Sequence, residues 1–380
     1  MGPFLLVDKS FVESLSPEDI DFLDKHYTVI ITPILVREIC ANLLKYPEDE
    51  NLSKHKVSIL ANKANHFDAK TVCHFGNICI TDLLGAGLSL TPVIPRTGGR
   101  KVIAPDGSKG IIFEESFEDE MLSRWADGHF NEEDFAAAKK HYEKRGYDLE
   151  GSGKAMANMY PRNASFKSLN DLASHIDYIL SAYTDQWQIT ESLMTVLNLE
   201  PPEQRKIKVR WEASEQLSFK DFANYAFYCY RLASVFWIGV TSGLIPTSKR
   251  EKAIIDYEYI YYLPFVHAFC SKDSFHRDFS SFFLRDDQDF IWGEDLKADL
   301  QVISSFNKNM TDDEKKYYAI NFGHYPPPIP NSITNILWQK HMRPRIPKSG
   351  NLAIEMSEDA KKKMVEEIDK IIEAYNKTKV

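Results

Sequence analysis

Four apolar residues, Phe4 to Val7, run without interruption into Asp8. An apolar run this short and unbroken predicts a strand buried on both faces. Its ending on a carboxylate marks either a helix cap or the edge of a site, because ligands of open α/β sheets sit outside the carboxyl ends of the strands. SPEDIDFLDKH (16–26) follows, with Ser16 and Pro17 as a capping start and an apolar side made by Ile20, Phe22 and Leu23, and it predicts a short helix. TVIITP (28–33) is a β-branched run closed by Pro33, a second strand. ILVREICANLLKY (34–46) carries apolar residues at 35, 36, 39, 43 and 44, a helical spacing. Strand, helix, strand, helix is the opening of an α/β sheet.

From about 47 to 249 the pattern turns mainly helical. RKVIAPDGSKGIIFEE (100–115) interrupts it: two apolar runs flank Pro105-Asp106-Gly107 and predict a β-hairpin. The segments 168–199 and 218–245 each predict one long helix, with Ser168 and Ser218 as N-caps and the aromatics at 222–237 as core. The α/β pattern resumes with a helix over 249–263, broken by Pro264, and with FVHAFCSKD (265–273), a run ending on Asp273 as the first strand ends on Asp8. A helix (274–284), a short strand (288–293) and another helix (294–306) complete it. The chain therefore divides into a discontinuous α/β domain (1–46 and 250–306), a helical insertion (47–249), and a C-terminal extension (307–380) with an extended proline segment and a terminal amphipathic helix over 357–377.

Composition narrows the function. The 380 residues carry a net charge of −9, which counts against a protein that simply coats nucleic acid. No apolar run approaches the roughly 18–20 residues of a membrane span, and the N-terminus lacks the pattern of a secretory signal. Five scattered cysteines (40, 73, 79, 229, 270) make no disulfide framework and fit a reducing cytoplasm. Cys73, His74 and Cys79 lack the second pair that a zinc site wants and read as core.

Asp8 and Asp273 each end a buried strand, Glu38 lies in the helix after the second strand, and Asp256 lies in the helix leading to the strand that ends at Asp273. Parallel strands would bring all four to one rim. Carboxylates so crowded repel by several kcal/mol at about 4 Å, so either some are protonated or a cation holds them. Oxygen donors alone suit Mg²⁺ or Mn²⁺, which can activate water and stabilise charge on a phosphodiester. Ser10, Ser271, Lys272, His276 and Arg277 flank the rim as candidate substrate contacts, with His276 otherwise expected at the surface. Asp278, Glu294 and Asp295 are weaker candidate ligands, and Glu258, two positions from Asp256, points to another face.

FLLVDKS, TPILVREI, IIDYEYIYYLP and FVHAFCSKDSFHRDF together resemble the PIN-domain nuclease superfamily. The resemblance covers about residues 1–46 and 250–306, and departs from a minimal PIN domain in the long segment between Glu38 and Asp256. It implies a three-layer α/β/α fold with a parallel central sheet, interrupted in this chain by the large helical insertion, and a metal-dependent nuclease, usually acting on RNA, whose acids are Asp8, Glu38, Asp256 and Asp273. Single-stranded DNA is the lesser substrate and a homodimer is in keeping with the family. A catalytically inactive PIN-like module that binds nucleic acid or protein through the insertion is the alternative. A haloacid-dehalogenase phosphatase would need an Asp where Ser10 stands. Two basic segments, RKIKVRW (205–211) with Trp211 available to stack on a base, and KHMRPRIPK (340–348), are candidate backbone tracks.

Overall fold

Short β-branched and aromatic runs pair where the pattern places them. A computed structural model describes residues 2–67, 71–96, 99–103, 107–145, 166–245 and 250–343, together with Lys362 and Glu366. Among these, six strands form: β1 (Phe4–Val7), β2 (Thr28–Ile30), β3 (Arg100–Ile103), β4 (Lys109–Ile112), β5 (Ala268–Ser271) and β6 (Asp289–Trp292). Four of them make one parallel sheet in the order β2-β1-β5-β6. Leu5, Leu6 and Val7 in β1 and Ala268, Phe269 and Cys270 in β5 are buried, as central strands covered on both sides must be. The register sets Val7 opposite Cys270, so the next residues, Asp8 and Ser271, emerge side by side at the carboxyl end of the sheet.

Short connections hold the helices close to that end. Asp8 caps α1 (Lys9–Ser14) and Ser16 opens α2 (Pro17–His26) with a capping box to Asp19. Thr32 caps α3 (Pro33–Ala41), so the run that predicts strand to residue 33 ends as strand at Ile30. Glu38 falls in the second turn of α3.

The intervening segment adds α4 (Glu50–His66), α5 (Phe75–Leu83), the β3-β4 hairpin, α6 (Phe117–Ala126) and α7 (Glu132–Arg145). The helix expected over 168–199 is two, α8 (Leu169–Ala182) and α9 (Gln186–Val196). Asp185 ends the continuity by taking the amide of Gln188 on its side chain, a capping bond that competes with the helical ladder. α10 (Pro201–Ala213) follows. The helix expected over 218–245 is likewise split into α11 (Phe219–Phe222) and α12 (Asn224–Thr241). Here the cause is remote: the buried carboxylate of Asp82, at the end of α5, takes the amides of Tyr225 and Ala226 at 2.9 and 3.1 Å and fixes a new helix start.

The sheet is then completed by α13 (Arg250–Ile260), β5, α14 (Ser274–Ser280), β6 and α15 (Gly293–Asn309), with α16 (Asp312–Phe322) and α17 (Ile333–His341) beyond. At Gly293 a Cβ would stand 2.5 Å from Lys272 Cγ and 3.0 Å from Phe11 Cδ2, so the turn from β6 into α15 lies directly on the β5 rim. Apart from Lys362 and Glu366, the tail helix expected over 357–377 lies outside the described residues, as does most of the basic segment 340–348. No helix among the described residues is long and apolar enough to cross a membrane.

Candidate functional site

The parallel register does the first part of the assembly. Asp8 leaves β1 beside Ser271, and the Ser271 hydroxyl donates to Asp8 Oδ2 at 2.8 Å. Ser10 donates to the same oxygen at 2.7 Å, while the Phe11 amide donates to Oδ1 at 2.9 Å. Asp8 is thus a helix cap and a rim carboxylate at once. Asp273 repeats the arrangement on β5: its side chain takes the Phe275 amide at 2.8 Å and its own amide donates to Ser271 Oγ at 3.0 Å.

His276 occupies the middle. It is 1% exposed, so it neither lies on the surface nor offers itself directly to a phosphate in solution, contrary to the expectation from sequence. Its ring lies between two acids. Nδ1 is 2.7 Å from Ser271 Oγ and 3.4 Å from Asp8 Oδ2, and Nε2 is 3.0 Å from the Asp256 carbonyl and 4.0 Å from Asp256 Oδ1. A carbonyl can only accept, so Nε2 carries a proton. Burial alone would push the imidazole pKa down, but the Asp8 hydrogen bond and the charges of Asp256, Asp8 and Asp273 outweigh it and hold the pKa above its ordinary value. Asp8, 3% exposed, answers in kind: burial would raise its pKa, and His276, Ser10 and the Phe11 amide bring it below the usual carboxylate range.

Glu38 reaches the same cluster from α3. Tyr259, three residues past Asp256 on α13, donates to Glu38 Oε2 at 2.6 Å. Burial, with the charge of Asp8 added, raises the Glu38 pKa against the opposing pull of Lys9 and Tyr259. Glu258 turns away, as its spacing requires, and pairs with Arg37. Lys272 pairs with Glu294 at 3.1 Å. Arg277 pairs with Asp278 at 2.9 Å and lies 5.6 Å from the Trp292 ring centroid, over an open groove that Asp295 also lines.

The four acids read from the sequence therefore stand about one imidazole. Two neighbours escape a sequence reading: Tyr259, whose only signal is its spacing of three from Asp256, and Lys9, which donates to Asn42 Oδ1 at 2.7 Å and bears electrostatically on Glu38. The basic segment at 205–211 is less available than its sequence implies. Trp211 packs on Trp187 at 5.2 Å and donates to the Leu217 carbonyl, and Arg210 is spent on the carbonyls of Asp82, Leu83 and Phe222.

In donor type the cluster suits a hard divalent cation, since its acids offer only oxygen. In arrangement it is closed: among the described residues no group of three or more His, Cys, Asp or Glu side chains stands in position to hold a metal ion. The imidazole keeps Asp8 and Asp256 apart and supplies the positive charge between them. Comparison of the chain with protein-family models, with curated proteins and with solved structures returns no match in any of the three.

Proposed function

We propose that the rim of the parallel sheet is the site of a PIN-like nuclease of α/β/α architecture that hydrolyses phosphodiester bonds, RNA being its first-choice substrate. The observation that carries the reading is the convergence of four acids, delivered by β1, α3, α13 and β5, about His276. A divalent ion such as Mg²⁺ or Mn²⁺, when bound, would supply charge stabilisation and an activated water. This chain's own contributions are separate from that. Glu38, its pKa raised by burial and its carboxylate hydrogen-bonded by Tyr259, is the acid of the rim suited to hold and pass a proton. Asp8 is held ionised by the Ser10, Ser271 and His276 contacts. Lys9 and Lys272 border the rim with charges of the sign a phosphate needs.

The competing reading is a PIN-like module that binds without cleaving. It is favoured by two facts: Asp8 and Asp273 already have hydrogen-bond donors from within the chain, and among the described residues no group of three or more His, Cys, Asp or Glu stands in position to hold a metal ion. Cleavage of a labelled RNA by the purified protein in Mn²⁺, with Asp8→Asn and Glu38→Gln beside it, separates the two. Loss of cleavage in both variants, with the far-ultraviolet spectrum unchanged, supports the nuclease. Equal activity in wild type and variants removes the rim as the site, and RNA binding without any cleavage supports the module. A reducing cytoplasm suits the five free cysteines, and a homodimer would suit the family resemblance.

A further inference from the structure

Among the described residues, the β3-β4 hairpin pairs with no other strand. It pairs only with itself, in the register Lys101↔Ile111 and Ile103↔Lys109. That register puts Lys101, Ile103, Lys109 and Ile111 on one face of the ribbon. All four are exposed, Ile103 by 71% and Ile111 by 55%. A two-stranded ribbon by itself is only marginally stable in water.

Within the paired strands every charge is positive, Arg100, Lys101 and Lys109, while the acids of the segment, Asp106, Glu114 and Glu115, fall outside them. Among the described residues neither Lys101 nor Lys109 has an ion-pair partner. The ribbon is also tied to the carboxyl side of the sheet. Arg96 stacks on Phe113 at its root, donates to the Glu114 carbonyl and lies 3.7 Å from Asp119 Oδ2. Asp119 Oδ1 takes the Thr71 amide at 2.7 Å, and the adjoining Val72 amide pairs with the carbonyl of Ile31, just past the carboxyl end of β2. Asp8 and Asp273 follow the parallel strands β1 and β5 at that same end.

We propose that this ribbon is a nucleic-acid grip, with Lys101 and Lys109 on the phosphates of one strand and Ile103 and Ile111 against its sugars and bases. The inference rests on the nuclease reading for its choice of ligand, and its test is built to fail separately. Fluorescence anisotropy of a labelled single-stranded RNA, measured in EDTA from 50 to 200 mM salt, reads the grip without cleavage. Each phosphate contact on a single strand adds about 0.7 to the slope of log K against log salt. Lys101→Gln/Lys109→Gln is therefore expected to flatten the slope by about 1.4 and weaken binding about 25-fold at 0.1 M salt. Hydrolysis of bis(p-nitrophenyl) phosphate, too small to span ribbon and rim, is expected to match wild type. An unchanged slope overturns the grip. So does a sedimenting mass that falls from dimer to monomer in the double variant while the slope stays constant, since the ribbon would then be pairing with a second copy. Absence of hydrolysis by wild type, with the slope change still present, would defeat the nuclease and leave the grip standing.

Discussion

His276→Gln tests whether the imidazole is the counter-charge of the rim. The ring nitrogens stand 3.4 Å from Asp8 Oδ2 and 4.0 Å from Asp256 Oδ1. At an effective dielectric near 20, unit charges at such distances attract by about 4–5 kcal/mol each. The cost of burying the ions cancels much of this, but removing one partner leaves the others buried without it, which costs about 3–5 kcal/mol. Unfolding entropy of about 2.1 cal/mol/K per residue gives about 0.8 kcal/mol/K for a chain of 380 residues. The variant is therefore expected to melt about 4–6 °C below wild type by calorimetry at pH 7. A second expectation follows from the same charge count: millimolar Mn²⁺ should raise the melting temperature of His276→Gln more than that of wild type. In the variant the acids lack an internal cation, and a divalent ion binding only the folded state stabilises by mass action. Coincident melts of variant and wild type would refute the counter-charge argument. Equal stabilisation of both by Mn²⁺ would show that ion and imidazolium do not compete.

Arg210→Met should melt about 2–4 °C lower, because it strips the donor from three carbonyls at the ends of α5 and α11, a loss of about 2–3 kcal/mol; the neighbouring exposed Lys208→Met should leave the melt in place. His26 supplies an acid-side prediction: burial pushes its pKa down to about 4, and its Nε2 has no hydrogen-bond partner among the described residues. A folded pKa below the unfolded 6.5 means that stability is whole above pH 6.5 and drains away as pH falls toward 4, by about 3 kcal/mol. Urea melts at pH 7 and pH 4 measure it, and His26→Gln should flatten the difference. Gly2→Ala would set its Cβ 2.0 Å from the His26 carbonyl oxygen, a backbone atom, so it should cost about 1–3 kcal/mol; an unchanged melt would show that the first strand can shift freely.

What could be read from the sequence was what local patterning carries. Phe4–Val7 and Ala268–Ser271 announce themselves as apolar runs, and a run that ends on Asp places the carboxylate at the strand end whatever its later role. The hairpin was legible for the same reason, from two apolar runs around a Pro-Asp-Gly turn. The helix breaks at Asp185 and Ala223 were not. Apolar spacing continues across both, and the second is imposed by Asp82, more than a hundred residues away in the chain. Arg210 misled for a related reason: a guanidinium in a basic run looks free until the carbonyls it caps are brought to it by folding.

The same limit explains the centre of the site. Four acids in order imply a missing positive charge, and sequence arithmetic alone offers a metal or a proton to supply it. The fold adds a third supplier. Phe269, Phe275 and Tyr259 surround the His276 ring, so it is buried as an aromatic would be, while Ser271 and the Asp256 carbonyl turn its two nitrogens toward the acids. Nothing local to SFHRDF distinguishes such a histidine from a solvated one, because the partners come from β1, β5 and α13. The acids keep their ionisation unequally as a result: Asp8, with three hydrogen bonds and the imidazole, is held charged, while Glu38, facing Asp8 with a tyrosine and a lysine for support, is pushed toward its proton. Carboxylates driven apart in pKa within one cluster are the pattern acid-base chemistry uses; here the His276 contact draws Asp8 down, while burial and the Asp8 charge push Glu38 up.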